Sequence, residues 1–321
     1  MSEPRRNQLR AVALGGGHGL HATLTALRRI TSDLTAVVTV ADDGGSSGRI
    51  RRELGLLPPG DLRMALSALA GPDPASAFWS QALQHRFGGA GALAGHPVGN
   101  LMLAGLMERY GDPVLALDEV GRLVGSVGRV LPMSPVPLDL VADVDRIQDN
   151  PLVRQEIQGQ ASIATTIGRV RSVRVLPAGA PACAAAVDAV READLVVLGP
   201  GSWFTSVIPH LLLRELGNAL STTSAKVVVV LNLVPQAGET EGFSTVDLLR
   251  ALLEHGPDLR IHAVVADERI VHDRRPLDDF AQESGARLVV SAVATDDDVA
   301  IHDPARLARA LREAFGDDGE L

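Results

Sequence analysis

Two periods alternate along the chain. Short β-forming runs stand at Leu9–Leu14, Leu34–Val40, Leu195–Leu198, Val227–Leu233, Ile261–Val265 and Arg287–Val290. Between them, apolar residues recur every three or four positions, as with Leu20, Leu24 and Leu27 in the stretch Leu20–Ile30. That spacing buries one side of a helix. Strand and helix in alternation predict a parallel sheet with crossover helices. From about Arg51 to Val127 the β pattern disappears, and Leu62–Leu69, Ala75–Phe87 and Val98–Tyr110 read as helices. Val130–Val144 and Ser162–Leu176 read as β again, antiparallel or edge strands among them, and Ala182–Arg191 reads as helix. The expected fold is α/β: a doubly wound, mostly parallel, Rossmann-like sheet in a single domain over 1–321. A helical insertion at about 52–127 is expected above the carboxyl ends of the strands. There is no internal repeat and no long linker, and the ends at Met1–Gln8 and Gly316–Leu321 are expected to be loose.

Composition narrows the function. The chain has 321 residues, 46% of them hydrophobic, enough for a large core. A formal charge of −9 and only 3% aromatic residues disfavour nucleic-acid binding, which needs a basic face with stacking rings. No apolar run approaches the ~18 residues of a membrane span, so membrane insertion is not expected. One cysteine, Cys183, excludes an internal disulfide and reads as a small buried residue. A cytosolic protein is the expectation. Of 30 basic residues one is lysine, Lys226, at the start of a strand-like run, where it reads as an exposed strand-edge residue.

The chemistry gathers where strands end. After the first strand, Gly15-Gly16-Gly17-His18-Gly19 opens a helix, and the N–H groups of such a turn favour phosphate. A dinucleotide fingerprint would carry Gly or Ala where Leu20 stands, which disfavours an NAD(P)-linked oxidoreductase. A Walker A loop is excluded because no Gly-Lys-Ser/Thr follows. After the second strand comes Asp42-Asp43-Gly44-Gly45-Ser46-Ser47-Gly48-Arg49. Its glycines suit an anion-binding nest, Ser46 or Ser47 is expected to cap a helix, and Arg49 is expected to grip phosphate. Adjacent carboxylates need a cation, hydroxyls or backbone donors nearby. Asp61, in Pro58-Pro59-Gly60-Asp61-Leu62-Arg63, reads as an N-cap; beside Asp42 it would become a second ligand for Mg²⁺. His96-Pro97-Val98-Gly99-Asn100 is another polar helix start, with His96 a hydrogen-bond donor or general acid. Gly199-Pro200-Gly201-Ser202-Trp203-Phe204-Thr205-Ser206 follows a third strand, and Asn232 with Gln236-Ala237-Gly238-Glu239-Thr240-Glu241-Gly242 a fourth. Open α/β sheets bind ligands at these strand ends.

In this order, the motifs Gly15–Leu20, Thr39–Arg49, Pro58–Arg63, Gly95–Asn100, Gly199–Ser202 and Gln236–Thr240 resemble the YvcK branch of the CofD-like family. The resemblance implies a cytosolic protein needed for cell shape and envelope synthesis during gluconeogenic growth, one that binds UDP-sugars, UDP-N-acetylglucosamine above all. The runner-up it brings in is a Mg²⁺-dependent phospholactyl transferase, the activity of CofD itself. His18 stands where the family usually has Thr, and Met64 where Asn is common. The expected ligand set is Gly16, Gly17, His18, Gly19, Asp42, Asp43, Gly44, Gly45, Ser46, Ser47, Arg49, Asp61, Arg63, His96, Asn100, Gly199, Gly201, Ser202, Thr205, Asn232 and Gln236. Asp42 and Asp61 are its candidate Mg²⁺ ligands. A homo-oligomer and envelope-synthesis proteins are the partner classes left open.

Overall fold

The computed structural model describes residues 8–316 except 146–153, 167, 237, 241, 272 and 299. The chain opens with β1 (Arg10–Gly15), α1 (Gly17–Leu27) and β2 (Asp33–Val38). Five helices follow: α2 (Gly45–Leu54), α3 (Pro59–Ala68), α4 (Pro74–Gln84), α5 (Val98–Tyr110) and α6 (Pro113–Leu123). Then come β3 (Arg129–Pro132), β4 (Asp139–Asp145), β5 (Arg154–Gln158), α7 (Gln160–Ala164), β6 (Arg169–Leu176), α8 (Ala184–Glu192) and β7 (Leu195–Leu198). A π-helical turn, Trp203–Val207, leads into α9 (Pro209–Leu212) and α10 (Arg214–Thr222). The rest alternates: β8 (Lys226–Val230), α11 (Thr245–His255), β9 (Ala263–Asp267), α12 (Arg275–Ser284), β10 (Arg287–Ser291) and α13 (Pro304–Phe315).

Seven strands form one parallel sheet in the order β10-β9-β8-β7-β1-β2-β3. Helices cover both faces of such a sheet, so its central strands are apolar throughout: all four residues of β7 and four of the five in β8 are buried. The chain winds outward from β1 to β3 on one side and from β7 to β10 on the other. The order therefore reverses between β1 and β7, and their carboxyl ends flank a crevice where α/β sheets take ligands.

Several expectations need correcting. Val130–Val144 is two strands in different sheets, because Pro135 and Pro137 break the run between β3 and β4. Ser162–Leu176 is not all strand. Gly159 takes φ 99°, and the Asp43 carboxylate accepts the Ala161 N–H at 2.8 Å, so the chain turns into α7 before β6 begins. β4, β5 and β6 make a separate antiparallel sheet. β5 was invisible in the pattern because Arg-Gln-Glu-Ile-Gln buries nothing fully. Helix α6 was also missed, although Asp112 caps it by accepting from Val114 N–H and Pro113 occupies its first turn. Of the expected loose ends only Gln8 and Gly316 are described; 1–7 and 317–321 lie outside the described residues, as do Ala237 and Glu241.

Candidate functional site

The turn after β1 is shaped by what touches it. A Cβ on Gly16 would lie 2.5 Å from Asp61 Oδ2 and 2.6 Å from Thr39 Cγ2. One on Gly19 would lie 2.1 Å from the Pro200 carbonyl oxygen and 2.8 Å from Gly201 Cα. Only glycine fits at either position. The start of α1 is thus pressed between the α3 start and the loop after β7. Leu20, fully buried, performs the helix–strand packing that a third glycine would perform in a dinucleotide fold.

Asp61 is not the N-cap of α3. Pro58 holds that position, and Asp61 sits one turn in, where its carboxylate accepts the Gly17 N–H and faces Asp42. It lies deep in the molecule with only partial access to solvent. Burial first, then the Asp42 charge, pushes the Asp61 carboxyl up to about 7, against the pull of the Gly17 N–H and of Arg63. Asp42 Oδ1 accepts the Gly44 N–H at 2.9 Å, and its Oδ2 faces Gly60. Asp43 points away, to the start of α7.

Neither serine caps α2, whose N-cap is Gly44. Ser47 Oγ accepts the Gly60 N–H at 3.0 Å and so ties α2 to α3. Ser46 joins a buried relay instead. Asn100 Nδ2 donates to Ser46 Oγ at 2.9 Å, which leaves the serine proton for His96 Nδ1 at 2.7 Å. Arg63 Nη1 donates to Asn100 Oδ1 at 3.0 Å. Burial, then Arg49, pushes the His96 ring down, which keeps Nδ1 free to accept. The expected open nest at Gly44–Gly48 is in fact the first turn of α2, with the Gly44 N–H already taken. The Arg49 guanidinium donates to the carbonyls of Ala92 and Ala94, so its charge sits on that loop, not on the glycine turns.

Across the crevice, Asn232 clamps Gly201 at both polar atoms: it accepts the Gly201 N–H at 2.8 Å and donates to the Gly201 carbonyl at 2.9 Å. Gly199 has φ 76° and meets the Val230 carbonyl, while Thr205 is wholly buried. Beside this clamp lies a cavity of about 590 Å³ lined by His18, Gly19, Gly201, Asn232, Gln236 and His302, among others. A second cavity of about 590 Å³ shares Asn232, Leu233 and Val234 and extends to Phe243 and Asp267. Glu239, in the Gln236–Thr240 motif but outside the expected ligand set, is 1% exposed and central to this side. Lys226 and Cys183 lie elsewhere, one exposed at a strand start and the other buried.

The structure therefore makes two groups. Gly16, Gly17, Asp42, Asp61, Ser46, Ser47, Arg63, His96 and Asn100 converge on one side of the β1/β7 crevice. His18, Gly19, Gly201, Asn232 and Gln236 surround the cavity on the other. The pairing of Asp61 with the Asp42 carboxylate it faces suits an oxygen-seeking divalent cation, which takes its remaining ligands from water and phosphate. Among the described residues no group of three or more His, Cys, Asp or Glu is placed to hold a metal on its own. None of the helices described is long and apolar enough to cross a membrane.

Comparison with known proteins bears on family and fold. The family model "2-phospho-L-lactate transferase CofD" matches residues 11–303. A Mycobacterium tuberculosis protein named "Putative gluconeogenesis factor" is 55% identical over 305 residues, 94% of this chain and 88% of its own. The "Gluconeogenesis factor" of Halalkalibacterium halodurans is 33% identical over 322 residues, covering 94% of this chain and 95% of that one. A crystal structure of a UPF0052-family protein from Bacillus halodurans superposes with TM-score 0.83 at 31% identity, over 95% of this chain and 99% of that one. This chain belongs to the CofD family, among relatives named gluconeogenesis factors.

Proposed function

We propose that this chain is a regulatory protein that binds a UDP-sugar, with UDP-N-acetylglucosamine as the leading ligand, and serves cell shape and envelope synthesis during gluconeogenic growth. The observation that carries the reading is the meeting of the Gly16–Gly19 turn, the Gly199–Ser202 loop and the Asp42–Asp61 pair at the β1/β7 crevice. The helix dipole and N–H groups of α1 favour a diphosphate there. Mg²⁺ on Asp42 and Asp61 would neutralise that diphosphate and relieve the repulsion between the two carboxylates. Asn232, Gln236 and His18 line the space for base or sugar.

Reversible binding without turnover is the form the residues favour. In-line transfer needs two positioned substrates and a charge-stabilising group. Arg49, the candidate for that charge, is held by Ala92 and Ala94. His18 adds bulk beside the phosphate turn, and Met64 offers no polar contact next to Arg63. The second reading, a Mg²⁺-dependent phospholactyl-type transfer, is kept because residues 11–303 match a family model named for a transferase.

Thermal unfolding tests the first. Ligand at a hundred times its dissociation constant stabilises a fold by about 2.7 kcal/mol; no shift with millimolar UDP-N-acetylglucosamine rejects the assignment. Phosphorus NMR separates the two readings. Release of UMP, UDP or a new phosphodiester in the presence of Mg²⁺ and a phospholactyl-type donor, lost in Asp42→Asn, establishes transfer; saturable binding without product establishes the sensor.

A further inference from the structure

The loop that backs the phosphate turn is held by a buried carboxylate. Glu239 Oε1 accepts two backbone N–H groups, Phe204 at 2.6 Å and Thr205 at 2.9 Å. These open the π-turn Trp203–Val207. With its amide oriented to suit its neighbours, Gln236 donates to Glu239 Oε2 and accepts the Ser202 N–H, both at 3.3 Å. Asn232 grips Gly201 from both sides. The Gly201 Cα and the Pro200 carbonyl are what press on Gly19, and Ser206 Oγ lies 3.3 Å from where a Gly16 Cβ would be.

A wholly buried carboxylate is costly unless its oxygens are used. Burial pushes the Glu239 carboxyl up, while the Ser202 hydroxyl, the N–H groups of Phe204 and Thr205, and the Thr205 hydroxyl pull it down. An apolar side chain in the same space would avoid desolvating a charge but would leave the Phe204 and Thr205 N–H groups without an acceptor. A carboxylate oxygen is, however, one of few groups that can take two adjacent N–H donors at once and so fix their direction. A π-turn leaves N–H groups out of the usual helical register and is common at functional sites.

We infer that Glu239 is a positioning residue: it fixes the Gly201–Ser206 backbone so that the loop after β7 closes on the Gly16–Gly19 turn in the shape that receives the anionic part of the ligand. This rests on the nucleotide-sugar reading. Glu239 is not placed against the ligand itself; it acts through the loop.

The test compares Glu239→Ala, Glu239→Gln and a control, Leu117→Ala, whose truncation in α6, packed on the edge strand β3, destabilises away from the loop. UDP-N-acetylglucosamine affinity is measured by calorimetry, and amide hydrogen exchange is followed over 199–206. Glu239→Ala is expected to weaken binding roughly tenfold to a hundredfold, with faster exchange at Phe204 and Thr205, since two buried N–H groups lose their acceptor. Glu239→Gln, whose carbonyl oxygen still accepts both N–H groups while its amide loses the Gln236 contact, is expected to bind more tightly than the alanine variant. Leu117→Ala is expected to lose stability and keep its affinity. The inference is overturned if Glu239→Ala binds like the control, or if the glutamine variant is as impaired as the alanine. Should wild-type protein itself fail to bind, the ligand assignment falls. Exchange then decides the clamp: unchanged rates in Glu239→Ala overturn it, and faster rates confined to the loop uphold it.

Discussion

Asp61 is the residue at which stability and binding pull apart. Its carboxyl, raised from 3.8 to about 7, holds a proton in the folded chain at pH values where the unfolded chain has released it. Ionising it above pH 7 therefore costs stability, and the cost falls as pH drops through that window. Asp61→Asn, which removes the charge and keeps the shape, is expected to raise the unfolding temperature at pH 8 in the absence of ligand. The same variant is expected to lose any strengthening of nucleotide binding by Mg²⁺. Calorimetry at pH 6 and pH 8 checks both: wild-type affinity in Mg²⁺ rises with pH and that of the variant does not. Gly19 offers a second test. A methyl there meets backbone at the Pro200 carbonyl and cannot be relieved by a rotamer change. Gly19→Ala is expected to cost about 1–3 kcal/mol in chemical unfolding and to open the crevice, with weakened ligand binding.

Individual elements show which signals in the chain carried structural information. Strand β1 and helix α1 were legible because apolar period and glycine turn agree, and the helix begins earlier than its apolar spacing, at Gly17. β5 was not, since its residues face solvent and it is held by partners distant in sequence. The roles of Ser46 and Ser47 could not be read from a local cap preference, because Gly60, His96 and Asn100 compete for their hydroxyls. Glu239 was hidden for the same reason: its donors lie 34 and 35 residues upstream. The π-turn makes its own prediction. Trp203 is fully buried and donates Nε1–H to the Leu248 carbonyl at 2.7 Å. Trp203→Phe removes that bond and leaves a void behind the ring, so a loss of about 2–4 kcal/mol is expected in chemical unfolding.

The whole molecule is organised by the reversal of strand order between β1 and β7. Alternating periods revealed the parallel sheet, but only the assembled order shows which strand ends are neighbours. Beneath the crevice, His210 locks the π-turn to the sheet. Its ring nitrogens lie 3.2 Å from the Val207 carbonyl and 3.1 Å from that of Val37 in β2. The carbonyls favour a proton on this ring, yet complete burial outweighs them and pushes it from 6.5 down to about 4. The unfolded chain therefore takes up a proton on His210 before the folded chain does. Its contribution is complete above pH 6.5 and lost as pH falls toward 4, by about 3 kcal/mol for this ring. Asp61 acts in the opposite direction over part of that range. Denaturant titrations from pH 8 to 4 are thus expected to show a steeper acid decline in Asp61→Asn than in wild type; parallel curves would contradict the assignment.

The most direct test of the crevice as a nucleotide-sugar site is isothermal calorimetry of the wild-type chain with UDP-N-acetylglucosamine, in Mg²⁺ and again in EDTA. Saturable binding that weakens when the metal is removed, and keeps no metal dependence in Asp42→Asn, is the expected result. An absence of heat and of thermal stabilisation at millimolar ligand, in both buffers, would contradict it.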